Sequence, residues 1–239
     1  MEKSTAHETL ENYLLKKADY YVALDVVPNR ESYIIPIDHR IPLEQKANLF
    51  FKRSFDLLSS SLLLIGVMSW VLPLIALLIK IDSRGPVFFV QKRNKKNGKV
   101  FTCIKFRTMI VNSDAHTLPA AKHDSRITRI GAFLRKHHLD ELPQLINVLL
   151  GDMSLIGPRP YMISENEKYD VAINNYSVRF KVKPGITGLA QVIDYVNPIL
   201  SVESMQRRVS KDVFYVYNWS PALDAKIILR TFLKMAGIK

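Results

Sequence analysis

Cysteine is almost absent from the sequence: Cys103 is the only one in 239 residues, so no disulfide can form within the chain. This scarcity fits a soluble part that faces the reducing cytosol. Residues 1–49 lack the apolar core of a secretory signal peptide and mix charges of both signs. We interpret them as an N-terminal extension with one short helix near Glu8–Lys17.

Acidic residues are scarce between residues 80 and 139, where fourteen Lys or Arg stand against three Asp. This segment therefore carries nearly all of the chain's net charge of +12. A positive field of that kind attracts nucleic acid, acidic lipid headgroups or phosphorylated small molecules. No nucleic-acid-binding module accompanies the basic segment, so nucleic acid is the least favoured partner.

Charge is missing altogether from residues 57–79, a run of 23 residues between Asp56 and Lys80. A helix of that length is about 35 Å long and can cross a hydrocarbon core of about 30 Å. A single transmembrane helix is therefore one interpretation. Pro73 lies inside the run, however, and it lacks the N–H group that a regular helix needs, which predicts a kink or a break.

The flanks of this run are basic on both sides, and basic flanks prefer the cytoplasmic side of a membrane. A re-entrant helix, in which the chain enters the membrane, breaks and returns, agrees with both observations. Ser69 is placed to satisfy backbone groups that the break frees. We expect the membrane segment to occupy residues 50–81.

The residues after this segment predict a small β-hairpin. Ser83–Gln91 contains a turn and a short strand, Asn97-Gly98 is typical of a hairpin turn, and Val100–Ile104 can form the returning strand. Lys105 and Arg107 alternate with apolar residues and would share one face of that strand. They form either a solvated basic edge or a pair that binds phosphate.

Two adjacent carboxylates, Asp140 and Glu141, precede a short apolar segment. Pro143 is tolerated only in the first turn of a helix, so we place the helix start near Leu139–Asp140 and its end at Gly151. Free backbone amides and the helix dipole would favour negative charge there. The pair either caps the helix or performs chemistry on a phosphorylated substrate. We expect a buried stripe of Leu142, Leu145, Ile146, Leu149 and Leu150.

Two arginines could bind phosphate near these carboxylates. Arg159 stands between Pro158 and Pro160, which lower the entropy cost of presenting its guanidinium. An ordinary rigid turn is the alternative interpretation. Arg135 lies near the start of the carboxylate helix, within a helix expected over Arg126–Lys136.

The C-terminal segment predicts an amphipathic helix. Ser220 and Pro221 are typical of an N-cap and a first helical residue. Apolar residues recur on one side of the helix, and cations recur every four residues on another. Such a helix either lies on an anionic membrane surface or packs as a soluble amphipathic helix. The apolar residues are Leu223, Ile227, Ile228, Phe232 and Leu233, and the cations are Lys226, Arg230 and Lys234.

Taken in order, these segments resemble the bacterial sugar transferases, the monotopic polyprenyl-phosphate sugar-1-phosphate (phosphoglycosyl) transferases. The resemblance covers about residues 50–236, and Lys183 stands where the family often has Arg. Six blocks carry it: K-R-x-x-D at 52–56, S-x-G-P-V-F-F-x-Q-x-R at 83–93, K-F-R-T-M at 105–109, R-I-T-R-I-G-x-F-L-R at 126–135, L-D-E-L-P-Q-L-x-N-V-L-x-G-D-M-S-L-I-G-P-R-P at 139–160 and P-G-I-T-G-x-A-Q-V at 184–192.

The resemblance implies a re-entrant helix that anchors a small, mostly helical α/β domain to the cytoplasmic face of the bacterial inner membrane. It implies transfer of a sugar-1-phosphate from a UDP-sugar to undecaprenyl phosphate, with release of UMP and a need for Mg²⁺. Asp140 would carry the phospho-sugar as nucleophile, and Glu141 would be associated with Mg²⁺. A helix start amid cations is expected to lower the pKa of such a nucleophile. The substrate or its phosphates would be bound by Lys105, Arg107, Arg135, Arg159, Lys183 and Gln191.

We therefore expect three parts: an extension at 1–49, the membrane segment at 50–81 and a catalytic domain at 82–239. The predicted reaction is the first membrane step of a bacterial polysaccharide or glycoconjugate pathway, and a homo-oligomer is possible. A non-catalytic membrane scaffold that keeps the fold is the alternative. The sequence does not identify the sugar.

Overall fold

A computed structural model of the chain describes residues 40–116, 121, 124–194 and 201–237. The helix expected near Glu8–Lys17 lies outside these residues. Within them the fold is mostly helical and contains two small two-stranded sheets. This agrees with the predicted class, a mostly helical α/β protein with a small hairpin.

A long helix opens the described part of the chain. Helix α1 spans Lys46–Leu63, a π-helical segment follows at Leu64–Met68, and helix α2 spans Ser69–Asp82. Together they form 37 residues of helix. In the described part of the chain, this is the one helix long and apolar enough to cross a membrane. Several of its apolar side chains are exposed: Leu58, Leu62, Ile65, Trp70, Leu77 and Ile81.

Pro73 does not end the helix. The change in winding lies at Leu64–Met68, before the proline, where the helix widens into a π-helical segment. The Ser69 hydroxyl donates to the carbonyl of Ile65 at 2.7 Å, and the Trp70 indole N–H donates to that of Gly66 at 3.1 Å. The predicted break is thus an irregularity within a continuous helical run, and the return of the chain to the same side stays a prediction.

The β-hairpin forms as predicted, with longer strands. Strand β1 spans Phe88–Asn94 and strand β2 spans Val100–Phe106, and they pair antiparallel. Asn97 and Gly98 take positive φ angles of 61° and 69° in the turn. Strand β2 ends at Phe106, one residue before Arg107, although the Arg107 amide still donates to the carbonyl of Val87 at 2.9 Å.

The remaining elements build the domain around this hairpin. Helix α3 begins at Arg129, later than expected, because the Thr128 hydroxyl accepts a hydrogen bond from the Gly131 amide at 3.0 Å and caps it. Strands β3 and β4 pair in parallel. The elements are α3 (Arg129–Lys136), α4 (Gln144–Leu150), β3 (Ser154–Ile156), α5 (Ile163–Ala172), β4 (Gly185–Thr187), α6 (Leu189–Asp194), α7 (Val202–Asn218) and α8 (Pro221–Met235).

Helix α8 begins as predicted, since the Ser220 hydroxyl accepts from the amide of Leu223 at 3.2 Å and Pro221 is the first helical residue. Its apolar side is only half buried. Leu223 and Ile227 lie in the core, whereas Phe232 is exposed. The outer end of this helix therefore has an apolar surface that the described residues leave uncovered.

Lys52 joins the long helix to the domain through an ion pair with Asp224. Its ammonium lies 2.7 Å from Asp224 Oδ2, and both side chains are buried. The same carboxylate accepts hydrogen bonds from Tyr215 at 2.9 Å and Trp219 at 3.0 Å. These three donors compensate the negative charge of the buried Asp224 carboxylate.

The other two charged residues of the K-R-x-x-D block also bind the domain. Arg53 donates to the carbonyls of Val148 and Leu149 at 2.6 and 2.7 Å, where the C-terminal end of α4 favours a cation. Asp56 accepts from the hydroxyl of Ser154 at 2.9 Å. The block therefore positions α4 and β3, the elements on either side of the carboxylate segment and the arginine loop.

Candidate active site

The carboxylates lie in a 3₁₀ turn at Leu139–Glu141, and the α-helix begins only at Gln144. The prediction of one helix from Leu139–Asp140 onward is therefore wrong, although its end at Gly151 is confirmed. An α-helical Leu139 would bring its carbonyl against the ring of Pro143. The chain avoids this contact by forming a 3₁₀ turn, in which the Leu142 amide donates a hydrogen bond to the Leu139 carbonyl at 3.2 Å.

Helix α4 is fixed to the hairpin by Asn147 rather than by leucines alone. Its side-chain amide donates to the carbonyl of Thr102 at 2.8 Å and accepts from the amide of Ile104 at 3.0 Å. Leu145 is buried as predicted, whereas Leu150 is exposed. The contact with β2 brings Lys105 beside the carboxylate turn.

Glu141 is held by two cations. Its Oε1 atom lies 2.6 Å from Lys105 Nζ and 2.8 Å from Arg159 Nη2, and its Oε2 atom lies 3.3 Å from Arg159 Nη1. Burial acts to raise the pKa of Glu141, but the charges and hydrogen bonds of Arg159 and Lys105 outweigh it and hold the pKa well below its usual range. Glu141 is therefore ionised and positions both cations.

Asp140 has a different environment. It is half-buried, and its carboxylate receives no hydrogen bond from the part of the chain that the structure describes. Burial raises its pKa, and the negative charge of Glu141 raises it further, against the lowering effect of Lys105, Arg135 and Arg159. The expectation of a lowered pKa for Asp140 is therefore wrong, because desolvation and the charge of Glu141 outweigh the nearby cations.

The loop that carries Arg159 is held at several backbone atoms. Arg179 Nη2 donates to the Arg159 carbonyl at 2.6 Å, and Arg93 Nη1 donates to the Pro160 carbonyl at 3.2 Å. The Gly185 amide donates to the Pro158 carbonyl at 2.9 Å. The two prolines are thus one part of the restraint on Arg159, and bonds from elsewhere in the chain supply the rest.

Arg179 is a residue that the sequence analysis missed. It is 3% exposed, lies 2.8 Å from Asp212 in a buried ion pair, and has its guanidinium 4.5 Å from the centre of the Tyr161 ring. No motif marks it, because its partner lies on α7, 33 residues later. Its contact with the Arg159 carbonyl gives it a positioning role.

A cavity of about 500 Å³ opens beside the carboxylates. Lys105, Arg135 and Arg159 line it together with Asp140 and Glu141. Arg135 is oriented by Thr108, whose hydroxyl accepts from Nε at 2.7 Å. Three cations around an exposed part of Asp140 form a site that suits a substrate with several phosphate oxygens.

Comparison with known proteins agrees with this chemistry. The family model described as bacterial sugar transferase matches residues 47–237. The chain belongs to the bacterial sugar transferase family.

Three relatives indicate what such transferases do. The chain is 46% identical over 188 residues to a UDP-glucose:undecaprenyl-phosphate glucose-1-phosphate transferase of Klebsiella pneumoniae, covering 78% of this chain and 40% of that protein. It is 41% identical over 191 residues to a protein of the same name from Caulobacter vibrioides, covering 80% and 71%. It is 40% identical over 183 residues to a UDP-N-acetylgalactosamine-undecaprenyl-phosphate N-acetylgalactosaminephosphotransferase of Aeromonas hydrophila, covering 76% and 43%.

The structure separates the predicted substrate-binding residues into two groups. Lys105, Arg135 and Arg159 meet at the cavity with the carboxylates. Arg107 also borders the cavity, but it donates to Ser83, Arg84 and Pro86 and so stabilises the loop after α2.

Lys183 and Gln191 lie elsewhere in the domain. Lys183 approaches Gly151 and Arg53 at the far end of α4, and Gln191 donates to the carbonyl of Ile186 at 2.7 Å. Neither residue is among those that line the cavity beside Asp140.

The residues fit Mg²⁺ only together with substrate oxygens. The described residues contain no group of three His, Cys, Asp or Glu side chains that could hold a metal ion. Mg²⁺ commonly binds one or two carboxylates and completes its shell with phosphate oxygens and water. Asp140 is open to the cavity, and Glu141 Oε2 accepts one long hydrogen bond, so the pair suits that mode.

Proposed function

We propose that this protein transfers a sugar-1-phosphate from a UDP-sugar to undecaprenyl phosphate and releases UMP. One observation carries the proposal: the Asp140 carboxylate stands open in a cavity whose polar part contains Lys105, Arg135 and Arg159. The names of the relatives supply the substrate classes, and the family match supplies the context.

The cations would bind the donor's diphosphate. Arg159 presents a planar fork suited to two phosphate oxygens, and its loop is held before substrate arrives. Lys105 adds a point charge from β2. Glu141 keeps both side chains in place, so little reorganisation is needed when the donor binds.

In the first step, an ionised oxygen of Asp140 attacks the phosphorus that carries the sugar. The bond between that phosphorus and the oxygen bridging to the uridine-bearing phosphate breaks, and UMP leaves with the electron pair. The phospho-sugar is then attached to Asp140 as an acyl phosphate. Lys105 and Arg159 stabilise the charge that develops on the phosphoryl oxygens.

In the second step, a phosphate oxygen of undecaprenyl phosphate attacks the same phosphorus. The bond to Asp140 breaks, the carboxylate is regenerated, and the product is undecaprenyl diphosphate-sugar. Glu141 and substrate oxygens would hold Mg²⁺, which would neutralise phosphate charge when bound. One set of cations serves both steps, because the two phosphorylated substrates visit the site in turn.

The acceptor is a lipid, so the site must lie at a membrane. We assign residues 50–81 to the membrane as a re-entrant helix and 82–239 to a catalytic domain on the cytoplasmic side. Both halves of the long helix contact this domain: Lys52 binds Asp224, and Ile79 packs in a cluster with Phe106. Contacts from both halves support ends that lie on the same side, and a homo-oligomer stays a prediction.

Accessibility labelling tests this membrane arrangement. In a Cys103→Ser background, Glu44→Cys and Arg84→Cys place one thiol before the long helix and one after it. We expect a membrane-impermeant maleimide to label both thiols only in inside-out vesicles. Labelling of the two positions from opposite sides would establish a spanning helix instead.

Turnover of a panel of UDP-sugars tests the function. The protein is incubated in detergent with undecaprenyl phosphate and Mg²⁺, and UMP release is measured. We expect release with at least one sugar and loss of release in Asp140→Asn, whose neutral amide is a poor nucleophile. Absence of UMP with every sugar would favour the non-catalytic scaffold.

A further inference from the structure

The cavity beside Asp140 is lined by side chains of two chemical kinds. Its polar lining residues Gln91, Arg93 and Glu165 are called here the polar wall. Its exposed apolar lining residues are called here the apolar wall, and they are Phe88, Val90, Ile110 and Val111.

The apolar wall is exposed although its side chains are large. Phe88 is 43% exposed, Val90 47%, Ile110 50% and Val111 65%. Phe88 and Val90 point to the same face of β1, because side chains alternate along a strand. Phe88 is also fixed by stacking on Phe106, with ring centres 5.6 Å apart. An ordered apolar surface that continues a ligand cavity indicates an apolar ligand.

The wall begins where the long helix ends. Val111 packs against Gly85, three residues beyond Asp82, and a Cβ atom at Gly85 would lie 2.6 Å from Val111 Cγ2. Arg107 fixes this junction by donating to the carbonyls of Ser83 at 2.8 Å and Arg84 at 2.9 Å. Val111, at one end of the apolar wall, therefore lies beside the loop that directly follows the segment assigned to the membrane.

We propose that the apolar wall binds the phosphate-proximal isoprene units of the acceptor's polyprenyl chain. The inference rests on the proposed function and names the acceptor's place within it. A chain that leaves the bilayer at the end of α2 would follow Val111 and Val90 into the cavity. Its phosphate would then reach Asp140 between Lys105 and Arg135. The polar wall is left to the nucleotide and the sugar of the donor.

A matched pair of variants tests this assignment. Val90→Ser combined with Val111→Ser removes apolar contact from the wall. Val100→Ser is the control, because Val100 is 51% exposed on the same face of the hairpin but lies beside its turn and outside the cavity lining. Steady-state KM values are measured in detergent for the UDP-sugar and for undecaprenyl phosphate. A second series uses farnesyl phosphate, which has only three isoprene units.

We expect KM for both acceptors to rise about tenfold in the double variant, because several buried methyl contacts are lost. KM for the UDP-sugar should stay within about twofold of wild type. The control variant Val100→Ser should have wild-type KM values for the UDP-sugar and for both acceptors. A raised KM for the UDP-sugar with an unchanged acceptor KM would assign the wall to the nucleotide and overturn the proposal. Unchanged KM values for both substrates would also overturn it.

These outcomes differ from a failure of the proposed function. If wild-type protein releases no UMP from any UDP-sugar, the transfer reaction itself is absent. If wild type turns over and only the acceptor assignment fails, the function stands and the wall has another ligand.

Discussion

The guanidinium of Arg179 donates to the carbonyl oxygen of Arg159 at 2.6 Å, and the guanidinium of Arg159 in turn binds Glu141. Arg179 is buried and forms an ion pair with Asp212. The backbone of Arg159, which we propose to bind phosphate, is thus held by a residue that does not line the cavity.

Substitution of Arg179 by Lys should therefore reduce turnover without removing the charge that balances Asp212. Lysine cannot bind Asp212 and the Arg159 carbonyl with a planar fork, so Arg159 loses one restraint. We expect kcat/KM for the UDP-sugar to fall about tenfold while acceptor KM is unchanged. Initial rates of UMP release at varied donor concentration give this value.

Arg207→Lys is the matched control, because Arg207 is exposed on the same helix as Asp212. Thermal unfolding of both variants separates a positioning role from loss of fold. Wild-type kcat/KM in folded Arg179→Lys would contradict the role assigned to Arg179.

The pH dependence of the first step should report the unusual environment of Asp140. Burial and the Glu141 charge raise the pKa of Asp140, so the nucleophile is protonated, and the rate falls, at a higher pH than for an ordinary Asp. In Glu141→Gln the negative neighbour is gone while Lys105 and Arg159 remain. The acid limb of the profile should then move to lower pH, even though the maximal rate drops.

Rapid-quench measurement of UMP release across pH, in wild type and in Glu141→Gln, gives the position of the acid limb in each. An acid limb that stays in place or moves to higher pH in Glu141→Gln would show that the titrating group is not Asp140 or that Glu141 does not act on it.

Arg159 and Lys183 should differ sharply, although sequence resemblance assigns both to the substrate. Arg159→Ala removes a fork that lines the cavity, and we expect kcat/KM for the donor to fall at least about a hundredfold. Lys183 approaches Gly151 at the opposite end of α4, so Lys183→Ala should leave donor KM within about twofold. Steady-state kinetics of both variants check this, and comparable losses would contradict the placement of Lys183.

Lys52→Met should destabilise the folded protein. It leaves the buried Asp224 carboxylate with hydrogen bonds from Tyr215 and Trp219 but without its cation. Loss of one partner from a buried ion pair costs about 3 kcal/mol or more. We expect a lower Tm in detergent for Lys52→Met, and no change for Lys46→Met, whose side chain is exposed. Equal Tm values would remove the anchoring role of Lys52.

Features set by neighbours in the chain could be predicted from the sequence. Asn97-Gly98 predicted the hairpin turn, Ser220-Pro221 the start of α8 and Gly151 the end of α4, because each has a local conformational preference. The carboxylates and Arg159 could be identified as a group because the sequence blocks that contain them resemble a known family.

Features set by distant contacts could not be predicted. No residue near Arg179 in the sequence indicates that it pairs with Asp212, and Lys52 pairs with Asp224, which lies 172 positions later. The pKa of Asp140 is shifted in the direction opposite to the one predicted, because the nearby cations can be recognised in the sequence whereas burial cannot. Similarly, nothing local to Lys183 shows that it lies near Gly151 and outside the lining of the cavity beside Asp140.

The most direct test of the account is the mass of the protein after reaction with a UDP-sugar in the absence of acceptor. A covalent mechanism predicts a mass increase equal to a sugar phosphate less one water, located at Asp140 by peptide mapping, together with stoichiometric UMP. The adduct should disappear when undecaprenyl phosphate is added, and it should not form in Asp140→Asn. Turnover by Asp140→Asn, or an adduct on another residue, would contradict the central role of Asp140.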